Sequence, residues 1–391
     1  MKKRDSLLVI LGILFISFNL RAPITAVGSI VDLIQAEYGL TKAAAGFITT
    51  LPLLAFAVVS PFVATVSGKI GAARTMMGGL ILILCGELIR SYTGAAGLFA
   101  GTAVIGVGIA IGNVIIPGII KANFAGRVGA VTSIYTSGMC IYAAVGAGIS
   151  VPLAKGLNLG WKNALASWFL LTLITVFIWL PQVRGAKAQN AAAKKTSGGS
   201  SIWSSKLAWF VTLFMGVQSL LFYSLVAWLP TVVTSKGLSD GFAGSMATLF
   251  QLMAIPATLL IPTLCDKFKD QRILVLVTCL IYAAGMLCFL LGQTSMMLIV
   301  AVVLMAIGMG GSISLSIAFI SLRSPNPARA SQLSGMSQSA GYLLAAVGPV
   351  LTGALYDRLQ SWTVPLMLFL VLIAILAFCG LTAGSNRTVS E

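Results

Sequence analysis

The sequence predicts an all-α polytopic membrane protein: twelve transmembrane helices arranged as two six-helix, pseudo-symmetric halves. Three observations predict it. The chain of 391 residues is 58% hydrophobic and only 9% charged, with a mean hydropathy of +1.00, and a soluble domain of this size needs far more charge. Its apolar residues come in runs of about 20 or more, the length that carries an α-helix across about 30 Å of hydrocarbon. A single long polar stretch, residues 183–205, divides these runs six and six.

Between charges and turn residues the runs are 7–34, 43–66, 73–92, 96–120, 127–154 and 162–182, then 206–234, 241–264, 272–292, 295–321, 330–356 and 361–382. Met1-Lys2-Lys3-Arg4 before an apolar run begins like a signal peptide. The run is too long for one, however, and carries Arg21 without a clear small-residue cleavage site, so it reads as an uncleaved first span. Val183-Arg184-Gly185 through Gly199-Ser200-Ser201 has the composition of a linker. The predicted domains are an N-terminal bundle over 1–182, a cytoplasmic linker over 183–205 and a C-terminal bundle over 206–391.

The net charge of +16 does not imply a nucleic-acid partner. The basic residues sit in short loops between apolar runs, with no basic face and no aromatic interleaving. They read as topology signals. With the N-terminus inside, eighteen Lys and Arg fall in inner segments and six in outer segments or outer helix ends, Arg90 among the six, and Arg21 belongs to neither. Both termini are therefore predicted to be cytoplasmic, in a multi-pass protein of the cytoplasmic membrane.

The six cysteines are scattered, mostly inside apolar runs, with no metal-ligand spacing and no disulfide framework, and there is no histidine. The glycine-rich runs Gly101–Gly112 and Gly138–Gly148 lack the Lys-Ser/Thr of a phosphate loop and read as small residues that let helices pack closely. Nothing resembles a catalytic triad, a metal cluster or a carboxylate pair. No cofactor, metal or enzyme activity is predicted.

The two halves are related at an offset of 202 residues. Gly106 and Gly108 align with Gly308 and Gly310, Lys121 with Arg323, Arg127 with Arg329, and Ala143-Ala144-Val145-Gly146 with Ala345-Ala346-Val347-Gly348. A parallel repeat of six helices follows, and in such repeats substrate sites are expected near the bilayer midplane.

Arg21 is the leading functional candidate. It lies 14 residues into the first run, about 21 Å along it at 1.5 Å per residue, where an ionised side chain is costly unless it faces a cavity or a partner. Pro23 nearby removes a helix hydrogen bond and loosens that turn. Snorkelling outward, or pairing inside the bundle, is the structural alternative. Glu87 is the acidic residue clearly within a span; Arg90, three residues on, is its expected local partner. An intramembrane arginine with no obvious carboxylate suggests that a substrate supplies the negative charge, and a guanidinium suits planar anions. Glu87 is also the acidic candidate for proton coupling. Asn19, Asn113, Tyr135, Tyr142, Gln218, Tyr223, Gln251, Gln338 and Tyr342 lie at mid-membrane depth, each either a helix–helix bond or a substrate contact. The repeat aligns Arg21 with Tyr223, so the halves are expected to meet substrate asymmetrically.

This pattern resembles the major facilitator superfamily, whose signature between the second and third helices has the form G-x-x-x-D-R/K-x-G-x-R/K-R/K. The first copy is degenerate: Gly68 stands where the acid belongs, while Lys69, Gly71 and Arg74 are kept. The second, Asp266-Lys267-Phe268-Lys269-Asp270-Gln271-Arg272, keeps the acid and bases but has Lys269 for the glycine. The resemblance implies gating roles for Lys69, Arg74, Asp266, Lys267 and Arg272. Asn19-Leu20-Arg21-Ala22-Pro23-Ile24-Thr25, Thr50 through Phe56, Gly108 through Asn113 with Pro117 and Lys121, and Leu333 through Ala346 are similar, more narrowly, to the cyanate permease and nitroimidazole transporter family. That implies a monomer in the lipid bilayer acting on a small-molecule substrate by alternating access. Two hypotheses result: a secondary or facilitative transporter of a small anion or anion-like solute anchored on Arg21, or an efflux pump for neutral or cationic compounds. Ala345-Ala346-Val347-Gly348-Pro349 through Gly353 resembles the Gly-Pro motif of drug antiporters, but Gly146-Ala147-Gly148 in the fifth span, where that motif belongs, lacks the proline.

Overall fold

The computed structural model describes residues 3–40, 42–185 and 201–389; residues 186–200, most of the predicted linker, lie outside the described residues. Among those described, helices α1 Lys3–Asn19, α2 Ala22–Gly28, α3 Val31–Tyr38, α4 Lys42–Ile70, α5 Ala72–Tyr92, α6 Gly94–Asn123, α7 Val128–Val151, α8 Gly160–Ala166 and α9 Trp168–Gly185 are followed by α10 Lys206–Ser235, α11 Asp240–Cys265, α12 Arg272–Leu291, α13 Ser295–Leu322, α14 Pro327–Leu359 and α15 Thr363–Ala383. They provide twelve stretches long and apolar enough to cross a membrane, from Leu7–Gly28 to Thr363–Ala383. Large apolar side chains such as Phe62, Phe177, Val350 and Phe378 stay exposed, as expected where the solvent is lipid. Prolines inside α4, α6, α9, α10, α11 and α14 fit membrane helices, whose neighbours re-satisfy the freed backbone groups.

The helices fall into two compact units. The first comprises Met1–Asn123, Ser137–Ser200 and Asn326–Ser339; the second comprises Phe124–Thr136, Ser201–Pro325 and Ala340–Glu391. The early turns of α7 thus belong to the second unit and those of α14 to the first.

In the first unit the predicted continuous run 7–34 is interrupted, and its candidate span ends at Gly28. Pro23 has no N–H, so the helix loses the bond that Asn19 O would accept. The chain tightens instead: Leu20 N bonds to Ser17 O at 3.3 Å, and a new helix starts with Ile24 N and Thr25 N both on Arg21 O at 3.1 Å. A second interruption at Ser29–Ile30 sets off α3, which ends in the left-handed turn of Gly39 at φ +62°. Ala22, Ala26, Val27 and Ile30 are buried in a cluster with Trp161, Leu165 and neighbours. The helices α5 and α6 touch backbone to backbone: a Cβ on Gly86 would lie 2.8 Å from the Gly101 carbonyl oxygen, the close packing predicted for the glycine-rich run.

In the second unit α10 runs unbroken through Tyr223, capped at its start by Ser205 Oγ, which accepts from Ala208 N. Beyond the end of α13, the buried Arg323 donates from Nε to Ala383 O at 2.8 Å and from Nη2 to Gly384 O at 3.1 Å. A cation thereby meets the carbonyls at the end of α15, where Gly384 O also accepts from Gln271 N at 2.9 Å. Burial brings the Arg323 pKa down to about 10, so it remains charged at neutral pH.

Candidate functional site

The break in the first span is the centre of a buried polar network. Arg21 is its hinge residue, half-buried at φ −129°, ψ −44°. Asn19, on the last turn of α1, is 1% exposed. Its Nδ2 donates to Phe15 O at 2.8 Å and to Thr175 Oγ1 at 2.7 Å, and its Oδ1 accepts from Thr172 Oγ1 at 2.7 Å. Thr172 and Thr175 lie three residues apart, on one face of α9. Thr172 Oγ1 also reaches Glu87 Oε2 at 2.9 Å. On the other side of the break, Arg90 Nη1 donates to Pro23 O at 2.5 Å. Three segments of the first unit, α1–α2, α5 and α9, are thereby joined around Arg21 by side chains that are almost wholly buried.

One sequence expectation is corrected here. Arg90 lies on the last turn of α5, a helix end as its position suggests, and is 1% exposed. It does not pair with Glu87: no ion pair joins them, because the guanidinium is drawn to the Pro23 carbonyl instead. Glu87 Oε1 and Arg90 Nε and Nη2 are buried without hydrogen-bond partners.

The other polar candidates are distributed over both units. In the first, Asn113 is buried on α6, where its carbonyl accepts from Ser334 Oγ at 2.9 Å. Tyr142 on α7 stacks on Phe18 with ring centroids 3.7 Å apart. One turn along, Gly146 lets α7 approach the break: a Cβ there would come within 2.9 Å of Ala22 O. Gln338 is buried with Oε1 unpartnered. In the second unit Tyr135 is buried, Gln251 half-buried, and Gln218 donates to Ser219 Oγ at 2.7 Å with its own Oε1 unpartnered. The Tyr223 and Tyr342 rings are brought together, centroids 6.2 Å apart.

Among the gating candidates, Asp266 has a defined contact within the second unit. Its Oδ1 accepts from Gly129 N at 2.7 Å and its Oδ2 from Ala130 N at 2.9 Å, so the carboxylate caps the first turn of α7. Lys267 and Arg272 are exposed, and Arg272 lies 3.7 Å from Asp270. In the first copy Lys69 and Arg74 are exposed, and a Cβ on Gly68, where the acid is missing, would meet nothing within 4 Å.

Sequence reasoning misses Thr172 and Thr175, because a threonine in an apolar span carries no signal until its facing helix is known. It also misses the partner of Asp266, a backbone helix end that no side-chain pattern announces.

The pattern of the Major Facilitator Superfamily matches residues 9–244 and 233–388. The chain belongs to that superfamily. It is 46% identical over 390 residues to the uncharacterized transporter YycB of Bacillus subtilis (strain 168), covering 100% of this chain and 96% of the relative. It is 41% identical over 389 residues to the 2-nitroimidazole transporter of Escherichia coli (strain K12), covering 99% and 98%. It is 25% identical over 348 residues to the cyanate transport protein CynX of the same organism, covering 89% of each. Among solved structures the fold is similar to the proton:xylose symporter XylE bound to 6-bromo-6-deoxy-D-glucose, with a TM-score of 0.76 at 14% identity, covering 100% of this chain and 99% of the other. The resemblance drawn from Asn19–Thr25 and its companion segments thus agrees with whole-chain similarity. The protein is a multi-pass membrane transporter of the major facilitator fold.

Proposed function

We propose that this transporter moves a small anion or anion-like solute across the cytoplasmic membrane by alternating access, with Arg21 as its charge anchor and both termini cytoplasmic. The observation that carries the reading is the position of Arg21. It is half-buried at an interruption of a transmembrane helix, and the interruption is fixed by Pro23, Asn19 and Arg90. Irregular backbone and a cation at membrane depth are costly, and membrane proteins keep them where they serve a substrate path. A guanidinium offers two parallel donors to delocalised oxygen or nitrogen acceptors. Relatives named for 2-nitroimidazole and cyanate are named for small, polar solutes of that kind. Asn113, Tyr142 and Gln338 in the first unit, and Tyr135, Gln218, Tyr223, Gln251 and Tyr342 in the second, are the proposed further contacts. Asn19 acts by positioning, its amide being spent on α1 and α9. Lys69, Arg74, Asp266, Lys267 and Arg272 are the proposed gating residues.

The second reading is efflux of neutral compounds of the nitroimidazole type, favoured by the 41% identity to a 2-nitroimidazole transporter. There Arg21 would meet nitro oxygens. Both readings are tested with the purified full chain in proteoliposomes, measuring flux of labelled cyanate, benzoate and 2-nitroimidazole in each direction. The proposal expects saturable flux of an anion that Arg21→Ala abolishes and Arg21→Lys partly retains. Anion flux unchanged in Arg21→Ala contradicts it, and flux of 2-nitroimidazole alone selects the second reading.

A further inference from the structure

The corner where the fifth span turns into the sixth is built once in each half. Asn158 and Gln360, related by the 202-residue offset, both hold the left-handed conformation, at φ 51° and 50°. A tryptophan follows each closely, Trp161 in the first half and Trp362 in the second. The first corner supplies its own carboxylate: Glu37 accepts from Trp161 Nε1 at 2.5 Å and lies 2.6 Å from the Lys162 ammonium. The second corner has an indole and a cation but no carboxylate. Trp362 is 7% exposed, and its Nε1 has no hydrogen-bond partner. Lys236 donates to Leu290 O at 3.3 Å and to Gly292 O at 2.9 Å, which leaves the third donor of its ammonium unused.

Lys236 and Trp362 line a cavity of about 330 Å³, with Ser235, Tyr356, Ser361 and Thr363 among its other walls and no acidic side chain. Cavities of about 300 Å³ and more are the size that holds small ligands. The positions 202 residues before Lys236 and Tyr356 are Ile34 and Ala154, both buried in the apolar cluster around Trp161. The corner that is filled in the first half is therefore open in the second. The Thr363 hydroxyl accepts from Ser361 Oγ at 3.2 Å and keeps its own proton to donate. Tyr356 stacks on Trp362 with ring centroids 4.3 Å apart, which holds the indole in place. Capping the end of α12 accounts for two donors of Lys236, and for neither the cavity nor the idle indole. Burial keeps the Lys236 pKa below the ordinary lysine range, so the two carbonyls do not compensate its charge in full. The cavity joins the ends of α10 and α12 to the turn between α14 and α15, the level at which lipid headgroups meet water.

We propose that this corner of the second half is a binding site for an oxyanion, the phosphate of a phospholipid headgroup or of a free solute. The Lys236 ammonium holds it, with the Trp362 indole and the Thr363 hydroxyl as the neutral donors of the same cavity. The oxyanion takes the part that Glu37 plays in the first half. The site stands apart from Arg21 and does not rest on what Arg21 binds.

Fluorine NMR of the full chain, labelled with 5-fluorotryptophan in uncharged maltoside micelles, reads the site locally. The resonance missing in Trp362→Phe belongs to Trp362. In wild type it is expected to shift saturably as dihexanoyl phosphatidylglycerol or inorganic phosphate is added. A shift with the lipid alone assigns the site to a headgroup, and a shift with inorganic phosphate extends it to free anions. A shift with neither overturns the proposal. Lys236→Met should weaken binding at least about fivefold, the lower end expected of a charged hydrogen bond at a half-exposed ammonium. Lys236→Arg, which keeps the cation, should stay within about threefold. An unchanged midpoint in Lys236→Met overturns the proposal. Ser235→Glu serves if Lys236→Met does not fold. It places a tethered carboxylate at an exposed wall position beside the ammonium, as Glu37 lies beside Lys162, and should also weaken binding at least about fivefold. Unchanged binding in Ser235→Glu overturns the proposal as well.

Discussion

Asn19→Ala removes two of the hydrogen bonds by which α9 holds the end of α1. Thr172 donates to Oδ1 and Nδ2 donates to Thr175, each at 2.7 Å and each buried. Inter-helix side-chain hydrogen bonds in a bilayer average about 0.6 kcal/mol and reach about 1.7 kcal/mol. Two short ones put the loss at about 1–3 kcal/mol. The lower end is expected, because Thr172 keeps Glu87 and Thr175 keeps the Leu171 carbonyl at 2.8 Å, so neither hydroxyl is orphaned. The assay is a double-mutant cycle of Asn19→Ala with Thr175→Val, followed by equilibrium unfolding in mixed detergent micelles. A coupling energy of about 0.5–1.5 kcal/mol is expected. Additivity of the two changes to within about 0.3 kcal/mol would refute the network as drawn, since independent sites add to that tolerance.

Three further outcomes follow from other parts of the molecule. Asp266→Ala strips both acceptors from the first turn of α7 and should cost about 1–2 kcal/mol by the same unfolding assay, with Asp266→Asn costing less; an unchanged midpoint contradicts the cap. Gly86→Val sets a branched side chain against the Gly101 carbonyl and Ile105, each 2.8 Å from the Cβ position, and should sharply reduce the monodisperse fraction in size-exclusion chromatography, whereas a wild-type profile would mean that α5 and α6 are not so close. Glu37 is held below the usual carboxylate range by the Lys162 ammonium, 2.6 Å away, and next by the Trp161 indole. A lowered folded pKa gives stability that is fully present above the ordinary value of about 4.3 and is lost as pH falls through the folded one. Thermal unfolding should therefore show a steeper acid loss in wild type than in Glu37→Gln, and parallel profiles would show that the pair contributes nothing.

The fold was legible because a bilayer imposes length and apolarity, and those are written residue by residue. The interruption at Arg21 was half legible: Pro23 announces a lost hydrogen bond, but nothing local says that the break is pinned from α5 and α9. Neither the burial of Arg90 nor its partner was legible, for one reason. Its place on the last turn of a span suggests an interfacial charge, and its spacing from Glu87 suggests a helix-surface pair. Both rules assume a solvated helix face, whereas this face is closed by α6 and presents Arg90 to the carbonyl that Pro23 brings near. Tyr223 was aligned with Arg21 by the repeat, yet α10 is continuous there, because its proline, Pro230, comes seven residues later rather than two. Sequence symmetry is preserved in the fifth span of each half, where Gly146 packs on Ala22 and Gly348 on Leu220, each in the first span of its own half, and is lost at Arg21, whose counterpart is an uncharged tyrosine.

The central claim, that Arg21 selects for negative charge, is tested most directly by equilibrium binding of a charged and neutral pair of equal shape. Isothermal titration of the full chain with benzoate and with benzamide, in wild type and Arg21→Met, gives the discrimination ratio in each. A hydrogen bond to a charged group is worth about 1.5–3 kcal/mol, so the preference of wild type for benzoate should fall by about 10- to 150-fold in the variant. A ratio that is the same in both proteins, with benzoate bound, would contradict the account.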